Sequence, residues 1–112
     1  MENKITYDDF KKVEISIGQI LTVENIENSD RLLKLSVDFG ETIPRQIISG
    51  IAKYFPDLNT LVNKKCAFVT NLEPRSLMGL ESNGMILALG GGEEPFSLFE
   101  VGADIKPGTK AK

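Results

Sequence analysis

The feature that most constrains this chain is an alternating apolar strand with a glycine set into it. Val13, Ile15 and Ile17 alternate with Glu14 and Ser16, the period-2 signature of a half-buried strand. Gly18 interrupts, and the apolar pattern resumes through Ile20, Leu21 and Val23. A glycine inside a strand marks a bulge or a sharp bend, and a small barrel needs such a bend in a long first strand.

The rest of the chain extends that pattern. Residues 25–30 form a polar turn. Leu33, Leu35, Val37 and Phe39 then alternate with Lys34, Ser36 and Asp38 as a second strand. After a turn at residues 40–44, a third strand covers residues 45–49. A fourth covers 66–71, apolar enough to be buried on both faces, and a fifth covers 85–89. Tyr54, Phe55, Leu58, Leu61 and Val62 fall at helical spacing between the third and fourth strands, with Pro56 suited to a first turn. Five short strands with one helix between the third and fourth predict an all-β, five-stranded OB-fold barrel, with another five- or six-stranded barrel as the alternative. Thr6 reads as the N-cap of a short helix over residues 4–12 that docks Phe10 on the core.

One domain fills the 112 residues: the barrel covers about residues 13–90 and an extension about 91–112. The extension carries Phe96, Leu98, Phe99, Val101 and Ile105, which either wrap the same barrel or meet a second subunit. Gly90, Gly91 and Gly92 read as a flexible connector. Their spacing does not match a phosphate loop.

Composition excludes several functions. The chain has no histidine and one cysteine, so no Ser-His or Cys-His pair and no histidine or multi-cysteine zinc site can form. Cys66 lies in an apolar run and reads as a buried, inert thiol. The 16 carboxylates are scattered without the spacing of a paired acid and base. No catalytic residue, metal or cofactor is expected. No stretch approaches the roughly 20 apolar residues of a membrane span, and residues 1–10 lack the apolar core of a secretory signal. The expected location is the cytoplasm. A net charge of −3 and a pI of about 5.0 weigh against generic nucleic-acid binding, although a whole-chain sum hides local patches.

The most informative stretch is residues 71–85, NLEPRSLMGLESNGM. A plain hairpin between two barrel strands needs only two to five residues. This segment offers Arg75, Ser76, Ser82 and Asn83, groups that recognise phosphate, 2′-hydroxyl and base edges, with Met78 and Met85 as soft apolar contacts. It reads equally as a surface loop of ordinary turn residues. Arg31 and Lys34, at the start of the second strand, rank first among the remaining cations, ahead of Arg45 and the other lysines, because that strand belongs to the usual OB-fold binding face. Tyr54 and Phe55 either stack on a base or join the core.

These motifs resemble a known family. FKKVEISIGQI at 10–20, SDRLLKLSVDFG at 29–40, IISGIAKYF at 47–55 and the 71–85 segment, in that order, are similar to the tRNA-binding domain. That domain occurs as a stand-alone bacterial dimer, at the C-terminus of methionyl-tRNA synthetase, in the endothelial monocyte-activating polypeptide and in phenylalanyl-tRNA synthetase. The resemblance implies a non-catalytic OB-fold homodimer that grips the L-shaped body of tRNA by shape, alone or with an aminoacyl-tRNA synthetase. It places binding positions at Arg31, Ser49, Asn71, Arg75, Ser82, Gly84 and Met85. The ending at 100–110 resembles one that takes part in dimerisation. The chain departs from the family at Ser16, Glu73, Ser76 and Met78, where basic residues are usual, and at residues 26–29, usually His-Pro-Asp-Ala. Each lost cation removes a possible phosphate contact, so weaker, micromolar binding is expected. A protein-binding, chaperone-like module and a purely structural dimerisation domain are the alternatives.

Overall fold

The alternation in residues 15–38 becomes two antiparallel strands around which the barrel is built. The computed structural model describes residues 3–112. β1 (Ile15–Asn25), β2 (Leu33–Asp38), β3 (Arg45–Ser49), β4 (Lys65–Val69) and β7 (Met85–Ile86) form one sheet in the order β3-β2-β1-β4-β7. Two hairpins complete the strands, β5 (Arg75–Leu77) with β6 (Leu80–Ser82) and β8 (Ala88–Gly91) with β9 (Glu94–Leu98). β1 is long enough to serve two neighbours. Its first half pairs with β4 from Ile15 to Gln19, and its second half with β2 from Gln19 to Asn25. The far edge of β3 is capped by side-chain and loop bonds: Ile48 N–H donates to Ser82 Oγ at 2.9 Å, and Asn83 N–H to Gln46 O at 2.9 Å. The result is the nearly closed, five-stranded OB-fold barrel that the sequence pattern predicts.

Gly18 and the bulge turn out to be separate devices. The ladder shifts between Ile20 and Thr22, so Leu21 is the extra residue that bends β1. A Cβ at Gly18 would lie 2.5 Å from Val37 Cγ1 and 2.6 Å from Phe39 Cε1, so the glycine makes room for the core. That core holds Ile20, Leu33, Leu35, Val37, Ile47, Leu61 and Phe68, all fully buried. Phe39 meets Phe68 edge-to-face with ring centroids 5.1 Å apart. Cys66 is buried in the same cluster, and burial pushes its thiol up to about 11. It is the inert thiol expected.

Four local expectations are corrected. The N-terminal helix α1 (Tyr7–Phe10) forms with Thr6 as N-cap and Asp9 completing the capping box. A single turn does not reach the barrel interior, however, and Phe10 stays 45% exposed and Tyr7 70%. The helix between β3 and β4 is two 3-10 turns, Ala52–Tyr54 and Leu58–Thr60. Pro56 lies between them and drives Phe55 out of helical geometry, to φ −134° and ψ 72°. The fifth strand, expected over 85–89, splits into β7, which pairs with β4, and β8, which pairs with β9.

The fourth correction concerns Gly90–Gly92, which are no connector. They lie at the turn of the β8–β9 hairpin. Phe96 of β9 stacks on Tyr54 at 4.0 Å with rings 2° from parallel, and Leu98 enters the core at 6% exposure. Tyr54 and Phe55 therefore pack on the chain's own extension. Beyond β9 the backbone returns over the barrel. Ala67 N–H donates to Phe99 O at 3.0 Å, Ile17 N–H to Thr109 O at 2.8 Å and Ala111 N–H to Ile15 O at 2.9 Å. Of the two readings of the apolar extension, wrapping the same barrel accounts for Phe96 and Leu98. Phe99 and Ile105 keep 40% and 37% exposure. Among the described residues no helix is long and apolar enough to cross a membrane.

Candidate nucleic-acid interface

The 71–84 segment folds into the β5–β6 hairpin instead of an open loop. Leu77 faces Leu80 across a two-residue turn, Met78–Gly79, with φ of 50° and 79°. Positive φ at both central residues is what a tight, mirror-image hairpin turn requires. The hairpin stands on the edge of β3. Gln46 Nε2 donates to Glu81 O at 2.9 Å, beside the Ile48–Ser82 and Asn83–Gln46 bonds already described.

The predicted site residues divide into two groups. Ser82, Gly84 and Asn71 support the surface. Ser82 is 3% exposed; its Oγ accepts from Ile48 N–H and donates to Gly84 O at 3.1 Å. Gly84 has φ 139°, and a Cβ there would lie 2.9 Å from Ile47 Cδ1. Asn71 uses both ends of its amide on the chain itself: Oδ1 accepts from Glu14 N–H at 2.8 Å and Nδ2 donates to Lys12 O at 2.7 Å. Ser49 is half-buried at the end of β3, opposite Leu33.

Arg31, Arg75 and Met85 face solvent, and Lys34 and Asn83 are half-buried. Arg31 is exposed at the entry to β2, where its carbonyl accepts from Ala52 N–H at 3.0 Å. Lys34 lies 3.6 Å from Glu24 on β1. Both groups are substantially exposed, so that pair contributes little and is easily exchanged. Arg75 is exposed on β5, opposite Ser82. Met85 is 44% exposed on β7.

The topology sets these segments side by side. Lys34 pairs with Ile48, Ile48 bonds to Ser82, and Ser82 pairs with Arg75. Neither Arg31 nor Arg75 forms an ion pair among the described residues, whereas Lys12, Lys34, Arg45, Lys64 and Lys110 each do. The two arginines singled out from sequence thus keep their guanidinium forks uncommitted. Glu73 and Glu81 are exposed within the same segment and lower its local charge.

Arg45, a candidate phosphate contact from its place in the sequence, has a different setting. Nε and Nη2 donate to the two carboxylate oxygens of Glu41 at 2.9 and 2.7 Å. Nη1 donates to Thr70 O at 2.7 Å and to Asn83 O at 3.3 Å, and the guanidinium lies over Phe39 at 5.4 Å. The hydrogen bond to Glu41 raises the Arg45 pKa, and the same bond lowers that of Glu41. Next to it, Thr70 Oγ1 donates to Glu14 Oε1 at 2.6 Å, and Lys110 lies 3.1 Å from Glu14 Oε2. The Thr70 bond first, then Lys110, holds Glu14 below its ordinary pKa. Ser16, where the related family usually has a basic residue, is buried with its Oγ 3.1 Å from Thr70 Oγ1. No pattern in the sequence marks this network, because all its hydrogen bonds and ion pairs but Arg45–Glu41 join segments 25 residues or more apart.

Comparison with known proteins identifies the family of the chain. Residues 15–110 match the family model described as "Putative tRNA binding domain". The chain is 45% identical over 108 residues to methionine–tRNA ligase of Myxococcus xanthus, covering 96% of this chain and 15% of that protein. It is 44% identical over 109 residues to the ligase of Thermotoga maritima, covering 97% and 17%. The chain therefore spans about a sixth of the length of these relatives. Among solved structures, a MetRS-related protein from Pyrococcus horikoshii superposes with a TM-score of 0.90 at 33% identity over the whole of both chains. The chaperone CsaA from Bacillus anthracis shares the fold, with a TM-score of 0.84 at 22% identity over 97% of this chain and 99% of that one. With a barrel, a polar hairpin and a family match that run together from β1 through the C-terminal return, the chain belongs to the tRNA-binding domain family related to methionyl-tRNA synthetase.

Proposed function

We propose that the chain binds the folded body of tRNA as a non-catalytic homodimer and works in the cytoplasm with an aminoacyl-tRNA synthetase. The single observation that carries the reading is the pair of uncommitted arginines, Arg31 at the entry to β2 and Arg75 on the hairpin that stands on the far edge of β3. Arginine suits phosphate because its planar fork makes two-point hydrogen bonds. Lys34, Ser49, Asn83 and Met85 border the same surface. Asn71, Ser82 and Gly84 serve it by fixing the backbone from which Arg75 projects. No aromatic side chain stands on the exposed faces of β2, β3 or the hairpin. That favours contact with phosphate and ribose over base stacking, as expected for a reader of shape.

The relatives named as methionine–tRNA ligases support the synthetase partnership. The test is a tRNA titration across a salt series. Micromolar affinity that weakens steeply with salt is expected, since the free cations are few and each neutralised phosphate adds to the salt dependence. Salt-independent binding, or none, would contradict the reading.

For the dimer, the exposed apolar residues point to the end of the barrel that carries α1. Tyr7, Phe10 and Val13 line a groove of about 340 Å³ with Ala111 and Lys112. Exposed apolar surface of this kind marks interfaces, and a two-fold pair is the commonest way to bury it. Phe10 is outside the core, so Phe10→Asp is expected to leave the barrel folded and convert dimer to monomer in sedimentation equilibrium. A monomeric parent protein would contradict the homodimer.

A further inference from the structure

Arg45 sits at the root of the hairpin, and its bonds are arranged like a buckle. One nitrogen, Nη1, donates to Thr70 O and to Asn83 O, the carbonyls on either side of the segment that carries Arg75. The other two nitrogens, Nε and Nη2, donate to the two oxygens of Glu41, which is four residues back on the turn before β3. Phe39 supports the guanidinium from beneath. With every nitrogen engaged and Phe39 against the guanidinium, the Arg45 side chain is 26% exposed and has little left to offer a phosphate. A planar guanidinium is the one side chain that can span two carbonyls and a bidentate carboxylate together, because its donors point in fixed, divergent directions.

We infer that Arg45 is a positioning residue: it buckles both ends of the 71–82 segment and so fixes the place of Arg75, without itself touching RNA. The inference rests on the reading of that surface as the RNA site, and it makes a counter-intuitive claim about charge. Glu41 is an acid close to the proposed surface. If only net charge mattered, its removal would strengthen binding to a polyanion. As the group that orients Arg45, its removal weakens binding.

The experiment compares Arg45→Lys and Glu41→Gln with the parent protein in two measurements. The first is tRNA affinity across a salt series. Arg45→Lys preserves net charge, yet affinity is expected to fall roughly ten-fold, the factor expected for loss of a charge-assisted hydrogen bond. The slope of log affinity against log salt should stay unchanged, because no phosphate contact is lost. Glu41→Gln should also weaken binding, by a few-fold. The second measurement is amide hydrogen exchange of residues 75–83, which needs no RNA. Both variants should exchange faster there than the parent, while the β1–β2 core keeps its protection.

Affinity kept by Arg45→Lys, which retains the charge that a phosphate contact needs and loses the fork, would make Arg45 a phosphate contact and overturn the inference. Tighter binding by Glu41→Gln, or unchanged exchange in both variants, would overturn it as well. If the parent protein binds no tRNA, the functional reading fails, and hydrogen exchange alone still decides whether Arg45 buckles the hairpin. Should Arg45→Lys lose protection throughout the barrel, Glu41→Gln carries the test, since its partner remains in place.

Discussion

The two hairpins that follow β4 are alike in size and opposite in the way they are held. β8–β9 is fastened along its length by apolar contact: Phe96 stacks on Tyr54, Phe55 meets Phe96 edge-on at 5.8 Å, and Leu98 is buried in the core. β5–β6 is fastened at its root by polar bonds from Arg45, Gln46 and Ser82, and its outer strand and turn are exposed. Hydrophobic fastening gives stability and uses up the surface it fastens. Polar fastening at the root leaves a hairpin free to present side chains to a partner. The same barrel thus carries one hairpin built into its core and another left exposed at its edge.

The contrast breaks most severely at Leu98. Leu98→Ala removes a buried side chain from the core and should cost about 2–5 kcal/mol of stability, read by chemical denaturation. The corresponding change at the half-buried Leu77 should cost well under half as much. Equal losses at both would mean that the two hairpins are held alike.

Ser82→Ala comes next. It leaves the buried Ile48 N–H without its acceptor, for an expected cost of about 1–3 kcal/mol. A loss near zero in the same measurement would show that the capping of the β3 edge does not depend on that hydroxyl.

A smaller effect is expected from the carboxylates beneath the root. Glu14 and Glu41 both have folded pKa values below their unfolded ones. A depressed carboxylate contributes stability above its unfolded pKa and loses it as pH falls through the folded value. Stability should therefore hold at neutral pH and decline below about pH 4.5, the ordinary glutamate value. Glu14→Gln with Glu41→Gln should flatten that acid limb in thermal melts between about pH 6 and 3. An unchanged limb would assign the acid sensitivity to other groups.

How far the sequence revealed these differences depends on the kind of force involved. The barrel was legible because Leu33, Leu35 and Val37 alternate, and alternation reports burial directly. The polar hairpin was not, since its alternation is carried by Arg75, Ser76, Glu81 and Ser82, which leave no apolar stripe. Its one local signal was Met78–Gly79 between two leucines, a turn pair flanked by matching residues. The extension was half legible: its apolar residues announced a partner surface, but nothing local showed that Tyr54, some forty residues earlier, would be that partner for Phe96. Site residues followed the same rule. Arg31 and Arg75 are legible as cations at the start of the second strand and in the long polar segment, and both are exposed. The supporting roles of Asn71, Ser82 and Arg45 depend on hydrogen bonds between distant segments, and no spacing rule reports those.

The central claim is that the polar hairpin is a surface for RNA and contributes little to the stability of the barrel. Arg75→Ala, measured for both tRNA affinity and unfolding free energy, tests it most directly. The account predicts a loss of about 1–3 kcal/mol in affinity with a shallower salt slope, and a stability change within about 0.5 kcal/mol. Glu73→Lys in the same assay should tighten binding. Unchanged affinity for Arg75→Ala, with no gain from Glu73→Lys, would contradict the account.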